Sequence, residues 1–505
     1  METGGIEIPF LILLLLIPLI GAVVTAVMSK KPKRAKNVAL LFSGITLAVT
    51  LMYGYLLSAA STVYSDSESY AWVDTEYLRI SFDMGVDGMS ILMILLTAAL
   101  VFIVTIFSRY ESDRPNTFFA LILAMEVGLM GVYMAQDYFL FYIFWEVTLI
   151  PMYFLISGWG GPRRHYAAIK FFIYTHVASL IMLIGIFMMV FEASAGGTLD
   201  FTFAAVKEAS IAGIFSPVMQ TALFGLLFLG FAAKMPIVPF HTWLPDAHVE
   251  APTAGSVLLA AVMLKMGSYG IIRICLDIFP DGAVSWQPAL IVIALVSIVY
   301  GAYACIAQKD LKKMVAFSSI SHMGMVLLGI ALLTELGIQF AIFQMFAHGL
   351  ITSVLFMVCG VAGHNAGTRE IPLLGGLAGR MPLFAAFMMF GFLASLGLPG
   401  LVGFVAEFGI IFAFFEYLQT TPELLWIIVF ALASLLLTAG YYTWAMQRTI
   451  FGKETTKIDI EKVHDVSRTE VLALTALCAM IAIFGLMPSL ILEVIQTMPL
   501  PMGVF

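Results

Sequence analysis

Charge is scarce in this sequence. Asp, Glu, Lys and Arg make up 11% of its 505 residues, while 61% are hydrophobic; soluble domains carry about 25% charged residues. That shortage excludes a soluble globular fold for all but short stretches. Cysteine is scarce too: Cys275, Cys305, Cys359 and Cys478 stand singly, at no spacing that suits a disulfide framework, a zinc site or an iron–sulfur cluster. The phosphate-cradling Gly-rich loop, the dinucleotide fingerprint and the CxxC pair are all missing. No cofactor is expected on this chain, so any energy input must come from elsewhere. The net charge of −7 says little about partners, because most of the surface faces lipid; no nucleic-acid partner is expected.

Apolar runs fill the sequence instead. About 20 apolar residues in a helix cross the ~30 Å hydrocarbon core of a bilayer, and fourteen such runs can be placed, centred near Pro18, Leu47, Ala98, Met125, Thr148, Leu180, Leu227, Met263, Leu295, Met323, Ala347, Phe390, Leu435 and Met480. The first lacks a basic region before it and a small-residue cleavage site after it, and is read as a retained helix. Basic residues test the count, since cytoplasmic loops collect Lys and Arg. Of the 25, twenty fall in odd-numbered loops, from Lys30 and Arg109 through to Lys462, and only Arg79, Lys207 and Arg273 fall on the even side. Lys234 and Lys265 fall inside helices. Odd loops are therefore expected inside a prokaryotic cell membrane and both termini outside. Trp72, Trp159 and Trp286 suit interfacial belts.

Some segments are not simple spans. Asp200 to Ile214 is half polar and reads as an amphipathic helix on the outer surface. The seventh run is interrupted at Pro236 and Pro239, the twelfth between Gly397 and Gly403. Breaks at matching places point to inverted repeats with discontinuous helices. The expected fold is an all-α integral membrane protein of about fourteen transmembrane helices, with broken helices 7 and 12. Residues 1–115 hold helices 1–3, 116–275 a first five-helix repeat, 286–449 a second, and 450–505 an inner loop and helix 14.

A charge at the bilayer centre costs roughly 2.5–3.5 kcal/mol on insertion scales, so ionisable residues at mid-depth are candidate sites. Glu146 lies nine residues beyond Asp137, about 13 Å along a helix. His322 is as far beyond Lys313. Lys265, His348 and Glu407 sit comparably deep, and Lys234 stands at the first break. Burial weakens a lysine's hold on its proton and strengthens a carboxylate's, and histidine titrates near neutrality unaided. These six groups form a candidate lateral proton wire, with Glu146 and Lys234 as an ion pair. His241, seven residues after Lys234, joins them if helix continues between the two. A lone buried histidine commonly serves packing, and His176 is read that way. His248 is read as ordering an inner loop, His165, His364 and His464 as solvated. Glu126, within helix 4, stays open between a paired, a solvated and a proton-path role.

The stretches GVDGMS at Gly85–Ser90, QDYFLFYIFWEVTLIPMYFLISGWGG at Gln136–Gly161, Lys234–Arg273 with its KMPIVPFHTWLPDAHVEAP opening, DLKKMVAFSSISHMG at Asp310–Gly324 and LPGLVGFVAEF at Leu398–Phe408 resemble the antiporter-like membrane subunits of respiratory complex I and of Mrp-type cation/proton antiporters. The likeness is strongest to the M-type chain. It implies a half-channel in each repeat, Glu146 and Lys234 as a charge pair, Lys265, His322 and His348 as the connecting chain, and Glu407 as the terminal proton site. An acid at 407, where sibling chains carry lysine, favours the M-type chain over an antiporter subunit. Glu126 does not belong to the pattern. The implied function is coupling of quinone reduction to proton pumping, with flavin and iron–sulfur clusters in partner subunits and sibling antiporter-like chains alongside in lipid. A cation/proton antiporter subunit is the alternative, and a purely structural membrane spacer a third reading. NADH, ferredoxin and a reduced deazaflavin remain equal as donors, and proton and sodium as the ion.

Overall fold

The computed structural model describes residues 9–27, 31–60, 66–108, 111–419, 421–459, 461 and 463–499. Lys30, Arg109 and Lys462 lie outside the described residues. Among those described, thirteen helical stretches are long and apolar enough to cross a membrane. They are α1 (Phe10–Val27), α2 (Pro32–Ala60), α3 (Gly88–Phe107), α4 (Pro115–Met134), the bent pair α5 (Tyr138–Val147) and α6 (Leu149–Trp159), α7 (Arg164–Ala193) and α9 (Pro217–Lys234). There follow the composite stretch Thr253–Leu276, then α13 (Pro280–Ile306), α14 (Leu311–Ala331), α15 (Glu335–Asn365), α18 (Leu425–Thr449) and α19 (Arg468–Leu486). The short α8 (Phe203–Ile211) precedes α9, and α20 (Ser489–Gln496) follows α19. Every expected centre falls in one of these stretches except Phe390, which lies in α16 (Pro382–Ser395).

α16 is too short to cross alone, and α17 (Val402–Leu418) continues its course. Gly391 of α16 packs on Val354 and Leu355 of α15, whereas Gly409 of α17 packs on Phe340. The two short helices thus lie along successive halves of one long neighbour. α9 likewise stops at Lys234, residues 235–242 are not helical, and helix resumes as α10 (Trp243–Glu250). Proline removes a backbone donor and clashes with the preceding turn, which accounts for the stop before Pro236. The 253–276 stretch alternates α and π geometry: α11 (Thr253–Leu258), a π turn at Leu259–Met263, α12 (Lys265–Gly270) and a second π turn at Ile271–Leu276.

Helix starts are fixed by side chains accepting the free amides of the first turn. Asp87 caps α3 through the Ser90 amide, Asp310 caps α14 through that of Lys313, and Ser467 with Glu470 forms a capping box on α19. The core at mid-height is close-packed: α14 and α15 are almost wholly buried, whereas α2, α7 and α18 turn Leu, Ile, Val and Phe outward, as lipid-facing helices do.

One element departs from the all-helical expectation. Asp66–Asp74 (β1) and Leu78–Val86 (β2) form an antiparallel hairpin, and Leu199–Asp200 (β3) adds a short parallel strand beside β2. The hairpin fastens helix ends: the Glu68 carboxylate accepts the amides of Leu11 and Ile12 at the start of α1, and Asp137, capping α5, accepts the Ser81 amide at 3.1 Å. The expected amphipathic segment is α8, shorter than Asp200–Ile214.

Candidate functional site

Glu146 sits in the last turn of α5, where the chain bends at Thr148 before α6. Pro151 has no amide to return to Val147 O, four residues back, so that helical bond is missing; the Thr148 amide still bonds Phe144 O at 3.3 Å, and its hydroxyl donates to Trp145 O at 2.8 Å. Glu146 takes two partners from α7. Its Oε2 lies 2.8 Å from His176 Nδ1, and its Oε1 accepts a hydrogen bond from the Ser179 hydroxyl. His176 also stacks on Phe172 at 5.5 Å, so it is a packed histidine hydrogen-bonded to the acid. No direct ion pair joins Lys234 to Glu146 among the described residues, contrary to expectation. The Lys234 amine is buried at the end of α9, donates to Thr148 Oγ1 at 3.4 Å and stands 5.3 Å over the Trp145 ring. The cause is azimuthal: Glu146 turns toward α7, and the Thr148 hydroxyl two residues on faces the amine.

The second group is linked at both ends, with two imidazoles side by side between them. Lys265, wholly buried, donates to Ala260 O at 2.6 Å and lies 2.7 Å from His348 Nδ1. Ala260 is in the π turn, whose displaced hydrogen bonding leaves a carbonyl for the amine. The rings of His348 and His322 are 5.6 Å apart, centre to centre. His322 Nδ1 is 2.7 Å from Ser318 O, and its Nε2 is 3.2 Å from Ser395 O and 3.3 Å from Glu407 Oε1. Both ring nitrogens thus face oxygen acceptors, which suits a ring protonated on both, opposite a carboxylate. Ser395 ends α16 and Glu407 lies in α17, so the break between these helices brings a free carbonyl and an acid to the same imidazole.

Gly397, in that break, has φ +78°, and a Cβ there would stand 2.9 Å from Glu407 Oε2. The left-handed backbone and the space for the acid both call for glycine.

Of the seven residues singled out in the sequence, the structure brings four into contact (Lys265, His348, His322, Glu407), holds Glu146 and Lys234 one residue apart around Thr148, and sets His241 aside. Helix does not continue from Lys234 to His241, so the two-turn register fails; His241 packs edge-on against Tyr300 at 4.8 Å. His248 is likewise not in a loop. It lies in α10, fully buried, stacked on Phe356 at 4.5 Å, with neither ring nitrogen bonded among the described residues. The sequence carried a signal for it: a histidine in a mostly apolar stretch between two buried lysines.

Around α10 lies a second charged layer. Lys170 pairs with Asp246 at 2.7 Å, buried Glu250 accepts the Arg163 amide at 2.8 Å, and buried Lys312 donates to Ala251 O at 2.5 Å. These residues supply polar surroundings at the end of the bundle next to His248.

Residues 135–438 match the family described as NADH:quinone oxidoreductase/Mrp antiporter, transmembrane. The F(420)H(2) dehydrogenase subunit M of Methanosarcina mazei is 43% identical over 494 residues, covering 96% of each chain. The NADH-quinone oxidoreductase subunit M of Rhodobacter capsulatus is 38% identical over 488 residues, covering 95% of this chain and 93% of that one. Among solved structures, a chain of respiratory complex I from Thermus thermophilus superposes with a TM-score of 0.84 at 26% identity, covering 96% of this chain and 98% of that chain.

Proposed function

This chain belongs to the NADH:quinone oxidoreductase/Mrp antiporter membrane family, and from that premise we propose that it is the M-type, proton-translocating membrane-arm subunit of a complex I-type dehydrogenase. The observation that carries the reading is the buried line Lys265–His348–His322–Glu407, in direct polar contact at each end and with its two imidazoles 5.6 Å apart, centre to centre, in the middle. Four ionisable side chains kept in contact inside a membrane are costly unless they exchange charge.

The chemistry follows from the bonding. A Lys265 ammonium donating to His348 Nδ1 leaves the other nitrogen of that ring, Nε2, as the one bearing hydrogen. Transfer of the lysine proton to Nδ1 leaves His348 with a proton to give from Nε2, which has no hydrogen-bond partner among the described residues, so passage to His322 requires a bridging water. His322 already balances Glu407, so an arriving proton neutralises the carboxylate and frees the acid to discharge through the break at 396–401. At the other end, Glu146 with His176 and Lys234 set the field that Lys265 feels. Ionising or neutralising the acid changes how firmly the buried amine keeps its proton. The chain itself oxidises nothing in this scheme; flavin, iron–sulfur clusters and the quinone site belong to partner subunits. The relatives named above differ in electron donor while sharing the subunit letter, as expected if the donor is chosen on another chain.

The matching breaks after Lys234 and after Ser395 support inverted repeats at 116–275 and 286–449, flanked by 1–115 and 450–505. The lysine and arginine asymmetry supports odd loops inside a prokaryotic cell membrane and both termini outside.

The test is Glu407→Gln in the intact complex, reconstituted in proteoliposomes. The amide keeps the size of the side chain and cannot ionise. Proton flux should be lost and coupled electron transfer should stall, while Glu407→Asp retains part of both. Full flux in the glutamine variant refutes the exit.

A further inference from the structure

The two ring nitrogens of His322 are held in different ways. Nδ1 faces Ser318 O, about one turn back in the same helix, and helical geometry alone keeps that oxygen in place. Nε2 faces Ser395 O and Glu407 Oε1, and neither of these is fixed by α14. Ser395 is the last residue of α16, and the chain leaves the helix directly after it, turning through Gly397 at φ +78°. A carbonyl at a helix end has no amide of its own helix to hold it. Its meeting with the imidazole therefore depends on what anchors the end of α16.

The anchor is Tyr442 of α18. Its hydroxyl lies 2.8 Å from Ser395 Oγ, and its ring packs on Phe392 of α16 with centres 4.6 Å apart. The same hydroxyl also interacts with the Ser318 side chain. One residue of α18 thus touches both serines whose carbonyls receive the imidazole. Tyr442 and Ser395 are buried, whereas Leu425, Val429, Leu432 and Leu436 of the same helix α18 are exposed. As filler, phenylalanine would pack on Phe392 equally well. A buried phenol hydroxyl carries a desolvation cost that a hydrogen-bond partner must offset, and here the partner is the serine that also binds His322. Without the phenol oxygen, the Ser395 hydroxyl is free to turn back to a carbonyl of its own helix, and α18 no longer restrains the end of α16 by a polar bond.

We propose that Tyr442 is a positioning residue for the His322–Glu407 pair: by anchoring Ser395 it keeps the end of α16 where Ser395 O and Glu407 share one imidazole. The inference rests on the proton-translocating reading above. The titratable groups that face His322 are Glu407 from α17 and His348 from α15. Tyr442 acts on the pair through Ser395, and no proton passes over it.

The experiment compares Tyr442→Phe, Ser395→Ala, the two combined and Glu407→Gln in the intact complex. Two quantities are read: proton flux per electron in proteoliposomes, and the infrared carboxyl bands, of which the one missing in Glu407→Gln belongs to Glu407. Tyr442→Phe should shift the Glu407 band and lower the flux several-fold. Ser395→Ala breaks the same hydrogen bond from its other end and should shift the same band. The combined variant should be no worse than the more severe single one, because two residues acting through one bond are not additive. An unmoved Glu407 band in Tyr442→Phe, wild-type flux in that variant, or losses that multiply in the combined variant each overturn the inference, since a merely structural tyrosine would change assembly or thermal stability without moving the band. Should Tyr442→Phe fail to assemble, Ser395→Ala decides by the same band and the same flux. The Glu407→Gln arm separates the two ideas. If it pumps normally the translocation reading itself falls, whereas lost pumping there beside an unmoved band and normal flux in Tyr442→Phe removes only the role of Tyr442.

Discussion

The charged groups around Glu146 and around His322 are built differently. In the first, Glu146 and His176 keep side-chain exposures of 21% and 37%, and the nearest lysine stands off behind a threonine hydroxyl. In the second, His322 and Glu407 are exposed by 8% and 7%, and four side chains touch in sequence. The first group keeps a gap between acid and lysine, whereas the second sets its members side by side. The first group thus suits a field-setting switch and the second a relay.

The comparison breaks hardest at Lys265. Arginine keeps its proton at any accessible pH, so Lys265→Arg should abolish proton flux while assembly survives. Normal flux in that variant would reduce Lys265 to a fixed charge and leave the second group no relay. The first group is probed by Lys234→Ala set beside His176→Gln. Loss of the amine removes one pole of the switch, and pumping should stop with the complex intact, since Glu146 keeps its bonds to α7. Glutamine at 176 can still donate to Glu146. Because that hydrogen bond is kept, the change should cost less than about 0.5 kcal/mol, the lower bound for the net worth of one, or under roughly twofold in flux. If His176→Gln is as damaging as Lys234→Ala, the histidine itself carries protons and the contrast between the groups narrows.

The smallest effect lies outside the membrane segments. Burial pushes Asp137, the cap of α5, up to about 6, against the lowering pull of three backbone amides. Its folded value exceeds that of an unfolded aspartate, near 3.9, so the folded state binds more protons between the two. Stability should decline as pH rises through about 4 to 6 and then level off. Asp137→Asn keeps a capping oxygen and should flatten that slope, as read from thermal unfolding of the purified complex across this range. An unchanged slope would place its origin elsewhere.

Much of this was legible in the sequence, for identifiable reasons. Fourteen crossings follow from the length a helix needs to span hydrocarbon, and the mid-depth candidates from the cost of putting a charge there. What was hidden is direction around each helix axis. Whether Glu146 turns to α7 or α9 depends on the bend at Thr148, which hydropathy does not encode. His241 was misplaced because eight non-helical residues erase the register after Lys234, and His248 because α10 begins inside what reads as a loop. The hairpin escaped notice because β1 is polar and mostly exposed, with no apolar alternation to announce it.

The π turns of the 253–276 stretch make helical phase a quantity in its own right. Each holds one residue more than regular α-helix allows, so the side chains on either side are offset by about 100° from where an uninterrupted helix would carry them. Lys265 stands between two such turns and meets His348 only because of that offset. Deleting Ala261 would leave every charge in place and every crossing long enough, yet would swing the amine roughly a quarter-turn away from its partner. The contact between Lys265 and His348 is thus set by rotation as much as by composition.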